Sequence, residues 1–231
     1  MMRGAPAITG SMANVAERRL APPRVAVSTV IFTIDWAENS PRLVLPLVRR
    51  IRPPFKGQWA LPGGPLGPEE SLVSAAEGNL VAMTGVSPSY LEQLYTFGDL
   101  ARSPQERTVS IVYWALVPPS ARTVSDDENV KWFDADTVGE LAFDHNAIVE
   151  YALARLRTKV AYADIAYRFL GPTFTLSQVH EVYEAVLGQR VDPGNFRRRL
   201  KREQRIAATE DFVRSGAHRP ARLYRYLKDE Q

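Results

Sequence analysis

Residues 58–86 read QWALPGGPLGPEESLVSAAEGNLVAMTGV. Two local signals organise this stretch. Pro62-Gly63-Gly64 interrupts any helical or strand period and predicts a tight glycine turn. From residue 69 to about residue 84, Leu72, Val73, Ala76, Leu80 and Met83 recur at helical spacing, and Gly85 supplies the residue that ends such a helix. A glycine turn leading into a helix is a fold-defining junction, and the flanking sequence says what it joins.

Upstream, Val25, Val27, Thr29, Ile31 and Thr33 share one side of a period of two, while Ala26, Ser28, Val30, Phe32 and Ile34 share the other. Both sets are largely apolar or β-branched, which predicts a strand buried on both faces. A second strand is expected from Arg42 to about Ile51, where Pro53 and Pro54 break the pattern. Further strands are expected at 91–97, 108–117 and 130–133. A helix is expected from Asp144 to about Lys159, burying Ile148, Tyr151, Ala152 and Leu156. Mixed strands and helices indicate an α/β domain over residues 24–158. Residues 1–23, rich in Ala, Pro, Gly and Arg, read as a flexible leader.

Past residue 158 the character changes. Thr175-Leu176-Ser177-Gln178 fits a helix-capping box. Leu176, Val179, Val182, Tyr183, Val186 and Leu187 then form an apolar stripe closed by Gly188. Asp192-Pro193 reads as another helix start, with Asp as cap and Pro in the first turn. Residues 206–208 and 221–227 predict two strands around a polar loop. Helix, helix, hairpin is winged-helix order, placed at residues 159–231.

Composition narrows the partners. The absence of cysteine excludes a disulfide scaffold, a thiolate zinc site and a cysteine nucleophile. No apolar run reaches the roughly 18 residues of a membrane span, and the cytoplasm is the expected location. The net charge of +3 hides an asymmetry, because residues 190–228 hold twelve basic side chains against four acids. Within 193–204, PGNFRRRLKREQ, the positions Asn195, Arg198, Arg199 and Arg202 are spaced i, i+3, i+4, i+7 and are expected on one helical face. Phe196 and Leu200 are expected on the other. The polar face is suited to base edges in the major groove, with Arg197 and Lys201 flanking it toward phosphates. Arg219, Arg222 and Tyr224 are expected on the wing. This predicts binding to double-stranded DNA. A solvated basic surface and a module reading RNA by charge and shape are the competing readings of the same charges.

The opening stretch resembles the Nudix box, in which a glycine, a glutamate, an aliphatic residue and a terminal Gly-aliphatic pair stand at fixed spacing. Gly64, Glu70, Leu80, Gly85 and Val86 occupy those positions. Gly78-Asn79 stands where the family has Arg-Glu, and Ala82-Met83 where it has Glu-Glu. The family's glutamates hold the magnesium that drives diphosphate hydrolysis, and a hard cation needs carboxylate oxygens. No metal ligand and no catalytic residue is therefore assigned, and a nucleotide sensor is expected in place of a hydrolase. An active hydrolase of ADP-ribose or another nucleoside diphosphate derivative is the alternative. Gly63, Gly64 and Glu70 are expected at the ligand site, with Arg49, Arg52 and Lys56 meeting a diphosphate. Trp59, Phe55 and Phe143 are candidates to stack on a base, with core packing the competing reading of each. Arg107 is a further phosphate candidate, and His145 is expected to support the helix start, with ligand contact the alternative.

A degenerate Nudix domain followed by this basic winged helix resembles the NrtR family, Nudix-related transcriptional regulators of NAD metabolism. The resemblance covers residues 24–228. It implies an α/β Nudix fold, a mixed sheet sandwiched by helices, followed by a mostly α winged helix-turn-helix domain. It also implies a homodimeric repressor of genes of NAD synthesis or salvage, bound to a palindromic operator. ADP-ribose or a related NAD derivative is then the effector, with no resident cofactor.

Overall fold

The computed structural model describes residues 22–36, 40–122, 127–162, 164–214 and 220–227. The expected leader, apart from its last two residues, and Arg219 lie outside them.

Strand β1 (Arg24–Asp35) is the axis of the first half. It pairs antiparallel with β2 (Arg42–Arg49) and in parallel with β6 (Thr108–Leu116), so the seven-stranded sheet is mixed. The two faces of β1 separate as the period of two requires. Val27 and Ile31 are buried in clusters with Ala75, Ala76 and Leu80 of helix α1 (Leu72–Thr84). Val30, Phe32 and Ile34 are buried on the opposite face with residues of helix α2 (His145–Tyr162). Short strands β3 (Trp59–Ala60) and β4 (Gly63–Pro65) carry the glycine turn. β5 (Tyr90–Phe97) pairs with β6, and β7 (Val130–Asp134) pairs with β2.

Helix α1 begins at Leu72, three residues later than expected at Glu69. Ser71 is its cap, and its side chain accepts the amide of Ser74. Gly85 ends the helix with φ 69°, as its position predicts. Val73 was expected to face inward but is 47% exposed, because Ala75, Ala76 and Leu80 define the buried stripe. Tyr151, expected to be buried by α2, is 45% exposed and stacks on Tyr95 of β5 with centroids 5.5 Å apart.

Helix α2 continues to Tyr162 and passes into a 3-10 turn at Asp164–Phe169. Helix α3 (Leu176–Leu187) carries the expected capping box, with Thr175 and Gln178 each accepting the other's backbone amide. Helix α4 (Pro193–Glu203) starts at Asp192, whose carboxylate accepts the amide of Asn195 at 2.7 Å. The hairpin of β8 (Ile206–Val213) and β9 (Ala221–Tyr226) follows, with β8 longer than expected. Phe174 and Tyr224 bridge by paired backbone hydrogen bonds of 2.8 and 2.9 Å, tying the hairpin to the start of α3. One buried cluster runs through both halves, from Phe32 and Trp114 through Ile148 and Leu156 to Phe169, Val182, Phe196 and Leu200. No described helix is long and apolar enough to cross a membrane.

Candidate functional site

The glycine turn sets the floor of a cavity of about 320 Å³, within the roughly 300–1,000 Å³ range of small-molecule sites. β4 lies against β1 with Gly63 opposite Ser28. A β-carbon on Gly63 would come within 2.6 Å of the Val27 carbonyl oxygen and 2.9 Å of Ser28 Cα, so no other residue permits this approach. Gly64 beside it meets nothing within 4 Å and opens toward the cavity. The buried hydroxyls of Ser28 and Ser110 are 3.2 Å apart on adjacent strands of the cavity wall.

Three arginines line this cavity: Arg24, Arg50 and Arg102. Arg24 pairs with Glu106 at 2.5 Å at the rim, with both side chains about half exposed. Arg102 is 8% exposed and makes a two-pronged bond to Asp144, with Nε and Nη2 each 2.9 Å from a carboxylate oxygen. Arg50 has no carboxylate partner among the described residues. Its Nε donates to the Pro54 carbonyl at 2.7 Å, and its guanidinium lies 4.6 Å from the Phe143 ring centre. Phe143 also meets Phe55 edge-on at 4.9 Å. Phe55 and Phe143 both have positive φ, 61° and 58°, a conformation that costs a side-chain-bearing residue about 1–2 kcal/mol. The contacts among Phe55, Phe143, Arg50 and His145 hold that strain at the cavity wall.

His145, the first residue of α2, completes the wall. Its Nδ1 accepts the Leu61 amide at 2.9 Å, which places the proton of the neutral ring on Nε2. The ring thus holds the glycine turn as well as lining the cavity, a wider role than supporting the helix start. Burial, reinforced by the charges of Arg102 and Arg50 against that of Asp144, pushes its pKa down to about 4. An unfolded histidine titrates near 6.5, so between pH 6.5 and 4 the unfolded chain binds the proton that the folded chain refuses. This contribution to stability is complete above pH 6.5 and is lost as pH falls toward 4. The melting temperature should therefore fall more steeply over that window than in His145→Gln. Equal slopes in thermal unfolding at matched pH would remove the buried neutral imidazole from the account.

The cavity thus gathers Gly63, Gly64, Phe143 and His145 of the residues singled out from sequence. Others lie elsewhere. Arg49 projects from the opposite face of its strand and donates to the Gly57 carbonyl at 3.2 Å. Arg52 and Lys56 are exposed outside the lining. Trp59 packs edge-on against Phe133 at 5.0 Å. Arg107 spends its guanidinium on the carbonyls of Gly98 and Asp99, at 2.7 and 3.1 Å. Glu70 turns back to the Gly67 amide at 3.3 Å. Sequence reasoning missed Arg24, Arg50 and Arg102. The period of two could have found Arg50, which shares its parity with the lining residue Val48.

The residues present do not fit the magnesium site of a Nudix hydrolase. The amide of Asn79 donates to the Val27 carbonyl at 3.4 Å, and Glu77 is exposed. Among the described residues no group of three or more His, Asp or Glu side chains is placed to hold a metal.

The second site is the outer face of α4. Phe196 and Leu200 are buried under the helix. Asn195, Arg197, Arg198, Lys201 and Arg202 are exposed, and Arg198 donates to the Asn195 side chain. Arg199, expected among them, instead turns inward. Its guanidinium lies 4.5 Å from the Tyr183 ring centre, and its Nε is 3.3 Å from the Glu203 carboxylate without the alignment of a hydrogen bond. Glu203 is thereby committed to Arg199, and Arg197, Arg198, Lys201, Arg202 and Arg205 have no ion pair among the described residues. Arg222 is exposed on β9, with its guanidinium 5.2 Å from the Phe212 ring centre. Tyr224, expected to face DNA, is half-buried against the core, since its strand pairs with Phe174.

Two domain families match the chain: the NUDIX domain over residues 22–156 and the NrtR DNA-binding winged helix domain over residues 166–226. The chain is 32% identical over 210 residues to the ADPR responsive transcriptional repressor NtrR of Acinetobacter baylyi, covering 88% of this chain and 82% of that protein. In three dimensions it is similar to Shewanella oneidensis NrtR complexed with a 27mer DNA. That match has a TM-score of 0.78 and 33% identity, and covers 87% of this chain and 93% of the other. It is also similar to the NUDIX domain of that protein complexed with ADP ribose, with a TM-score of 0.51 and 33% identity over 62% of this chain and 95% of the other.

Proposed function

The chain belongs to the NrtR family, a NUDIX domain joined to an NrtR DNA-binding winged helix, and on that premise we propose that it is a transcriptional repressor that releases its operator when ADP-ribose occupies the Nudix cavity. The observation that carries this reading is the coexistence of two separate sites suited to phosphates, an enclosed one and an open one. The cavity offers Arg50 and Arg102 for a diphosphate and Phe143 for a base, and among the described residues it lacks the carboxylate cluster that would hold a catalytic metal. The outer face of α4 presents five cations or amides to solvent, and none of them has an ion pair among the described residues. Uncompensated positive charge on a helix face is stabilised by a polyanion, and the Asn and Arg side chains suit base edges.

A sensor gains from losing hydrolysis, because its signal then persists. The ligand site is assigned to Arg50, Arg102, Gly63, Gly64, Phe143 and His145. The DNA site is assigned to Asn195, Arg197, Arg198, Lys201 and Arg202, with Arg222 on the wing. A homodimer on a two-fold operator is the expected assembly, and genes of NAD synthesis or salvage are the targets that the family resemblance implies.

Incubation of the full-length protein with ADP-ribose and magnesium should yield no AMP above the uncatalysed background, while calorimetry on the same sample should show saturable ADP-ribose binding. Turnover at ordinary enzymatic rates, on the order of 1 per second or faster, would establish the hydrolase reading instead. A gel shift should show sequence-dependent DNA binding that ADP-ribose weakens. A shift independent of sequence and abolished by modest salt would favour the shape-and-charge reading.

A further inference from the structure

We propose that Arg157 is the positioning residue through which occupancy of the nucleotide cavity reaches the recognition helix, an inference that rests on the repressor reading above. Arg157 lies on α2, twelve residues after His145, or about 18 Å along the helix axis. The cavity end of α2 is defined by His145, which lines the wall, and by Asp144, which holds Arg102. A ligand that displaces either residue displaces the start of this helix.

Near the far end, within the apolar packing of α2 on α3, one guanidinium makes a polar contact with the DNA-binding half. Arg157 Nε donates to the Val186 carbonyl at 3.0 Å. Val186 lies in the last turn of α3, where carbonyls have no partner within the helix. The Nη2 of the same side chain pairs with Asp136, two residues after β7. Three elements, α2, the end of β7 and the end of α3, are thus joined by one side chain. The pair lies against the cap of α3, since a β-carbon on Gly188 would come 3.5 Å from Arg157 Nη2 and 3.6 Å from Asp136 Oδ2. From that cap the chain turns through residues 189–192 directly into α4.

Four further features make this contact a transmitter rather than a brace. α2 is fastened to the sheet beside it: Arg155 pairs with Glu92 at 2.9 Å, and Lys159 binds Glu92 and the Tyr90 hydroxyl. The helix therefore moves with the sheet as one body. Among the described residues α2 and α3 also share one buried apolar cluster, and such packing tolerates sliding, whereas a guanidinium held by a carbonyl and a carboxylate fixes register. A cleft of about 280 Å³ between the start of β2 and α3 lies next to the pair and leaves α3 room to shift. Both members are also partly exposed, at 34% and 40%. Such a pair adds little to stability, so its removal uncouples the halves without unfolding them.

The test uses the full chain, ADP-ribose and an operator fragment identified by gel shift with the wild-type protein. The quantity read is the ratio of DNA dissociation constants with saturating ADP-ribose and without it. In Arg157→Gln, and independently in Asp136→Asn, ADP-ribose affinity and ligand-free DNA affinity should stay within about threefold of wild type, while the ratio collapses to within about twofold of one. By reciprocity, DNA should then lose its effect on ADP-ribose affinity by the same factor. A wild type that does not respond to ADP-ribose overturns the repressor reading and this proposal with it. A responsive wild type with equally responsive variants overturns this proposal alone. So does loss of DNA binding in both variants whether or not ligand is present, which would make the contact purely structural.

Discussion

Replacing Asp144 with alanine is expected to destabilise the protein by roughly 3–5 kcal/mol, the range found when one partner of a buried ion pair is removed. The lower end applies if water reaches the site, since the Asp144 side chain is 22% exposed while that of Arg102 is only 5% exposed. The loss arises from what is left behind. Arg102 keeps a charged guanidinium with two donors, Nε and Nη2, that pointed at the missing carboxylate. Replacing both residues together, Arg102→Met with Asp144→Leu, leaves no orphaned charge and should recover most of the lost stability. A ligand diphosphate can stand in for the missing carboxylate, so saturating ADP-ribose should raise the midpoint of urea unfolding more in Asp144→Ala than in wild type. A single-variant loss below 1 kcal/mol would show that Arg102 reaches solvent once released, and the cavity wall would then not depend on the pair.

This pair also marks the boundary of what the sequence discloses. The features readable in advance are those in which cause and effect lie within a few residues. Thr175 with Gln178, Asp192 with Pro193, and the glycines at 85 and 188 satisfy helix ends by bonds to residues three or four positions away. The two faces of β1 follow from alternation alone. Arg102 and Asp144 are 42 residues apart and meet only because β6 and α2 are placed by the sheet. Local pattern marks Asp144 only as a helix start, and nothing local marks Arg102 as its partner. Arg49 and Arg50 are a different case, since composition cannot rank neighbours that alternation sends to opposite faces. Tyr151 and Tyr224 had the right character for core and for DNA contact respectively, but the neighbours that decide exposure, Tyr95 and Phe174, come from other elements.

The same reasoning accounts for the loss of the metal site without loss of the fold. Gly63, Leu80 and Gly85 are retained because each answers a packing or backbone demand: close approach to β1, burial against Ile31, and a left-handed cap. Ala82 stands exposed where no such demand exists, while Asn79 reaches the Val27 carbonyl and Met83 packs against the cluster of Ile31 and Leu80. An exposed helix position can differ from the family's box at no cost to the fold, and the arginines that line the cavity come from other elements.

Arg198→Ala is expected to weaken operator binding by roughly 1–3 kcal/mol at each half-site and to flatten the sequence preference there, because a guanidinium reading a base edge discriminates by that amount. On a two-fold operator the loss is counted twice. Lys201→Ala should instead weaken all DNA about equally and lower the salt slope by roughly one unit. Arg199 distinguishes these roles from within the same turn of helix. It sits about 60° from Phe196 on the helical wheel, close enough to the buried face for Tyr183 to capture its guanidinium at 4.5 Å. Arg199→Ala should therefore lower the melting temperature, through the loss of a cation–π contact worth roughly 0.5–2 kcal/mol, and leave base preference intact. Binding titrations against the operator and a scrambled duplex at two salt concentrations separate the three substitutions. If Arg199→Ala relaxes specificity as Arg198→Ala does, α4 must rotate on meeting DNA. If Arg198→Ala and Lys201→Ala weaken operator and scrambled duplex alike, the outer face of α4 reads only charge.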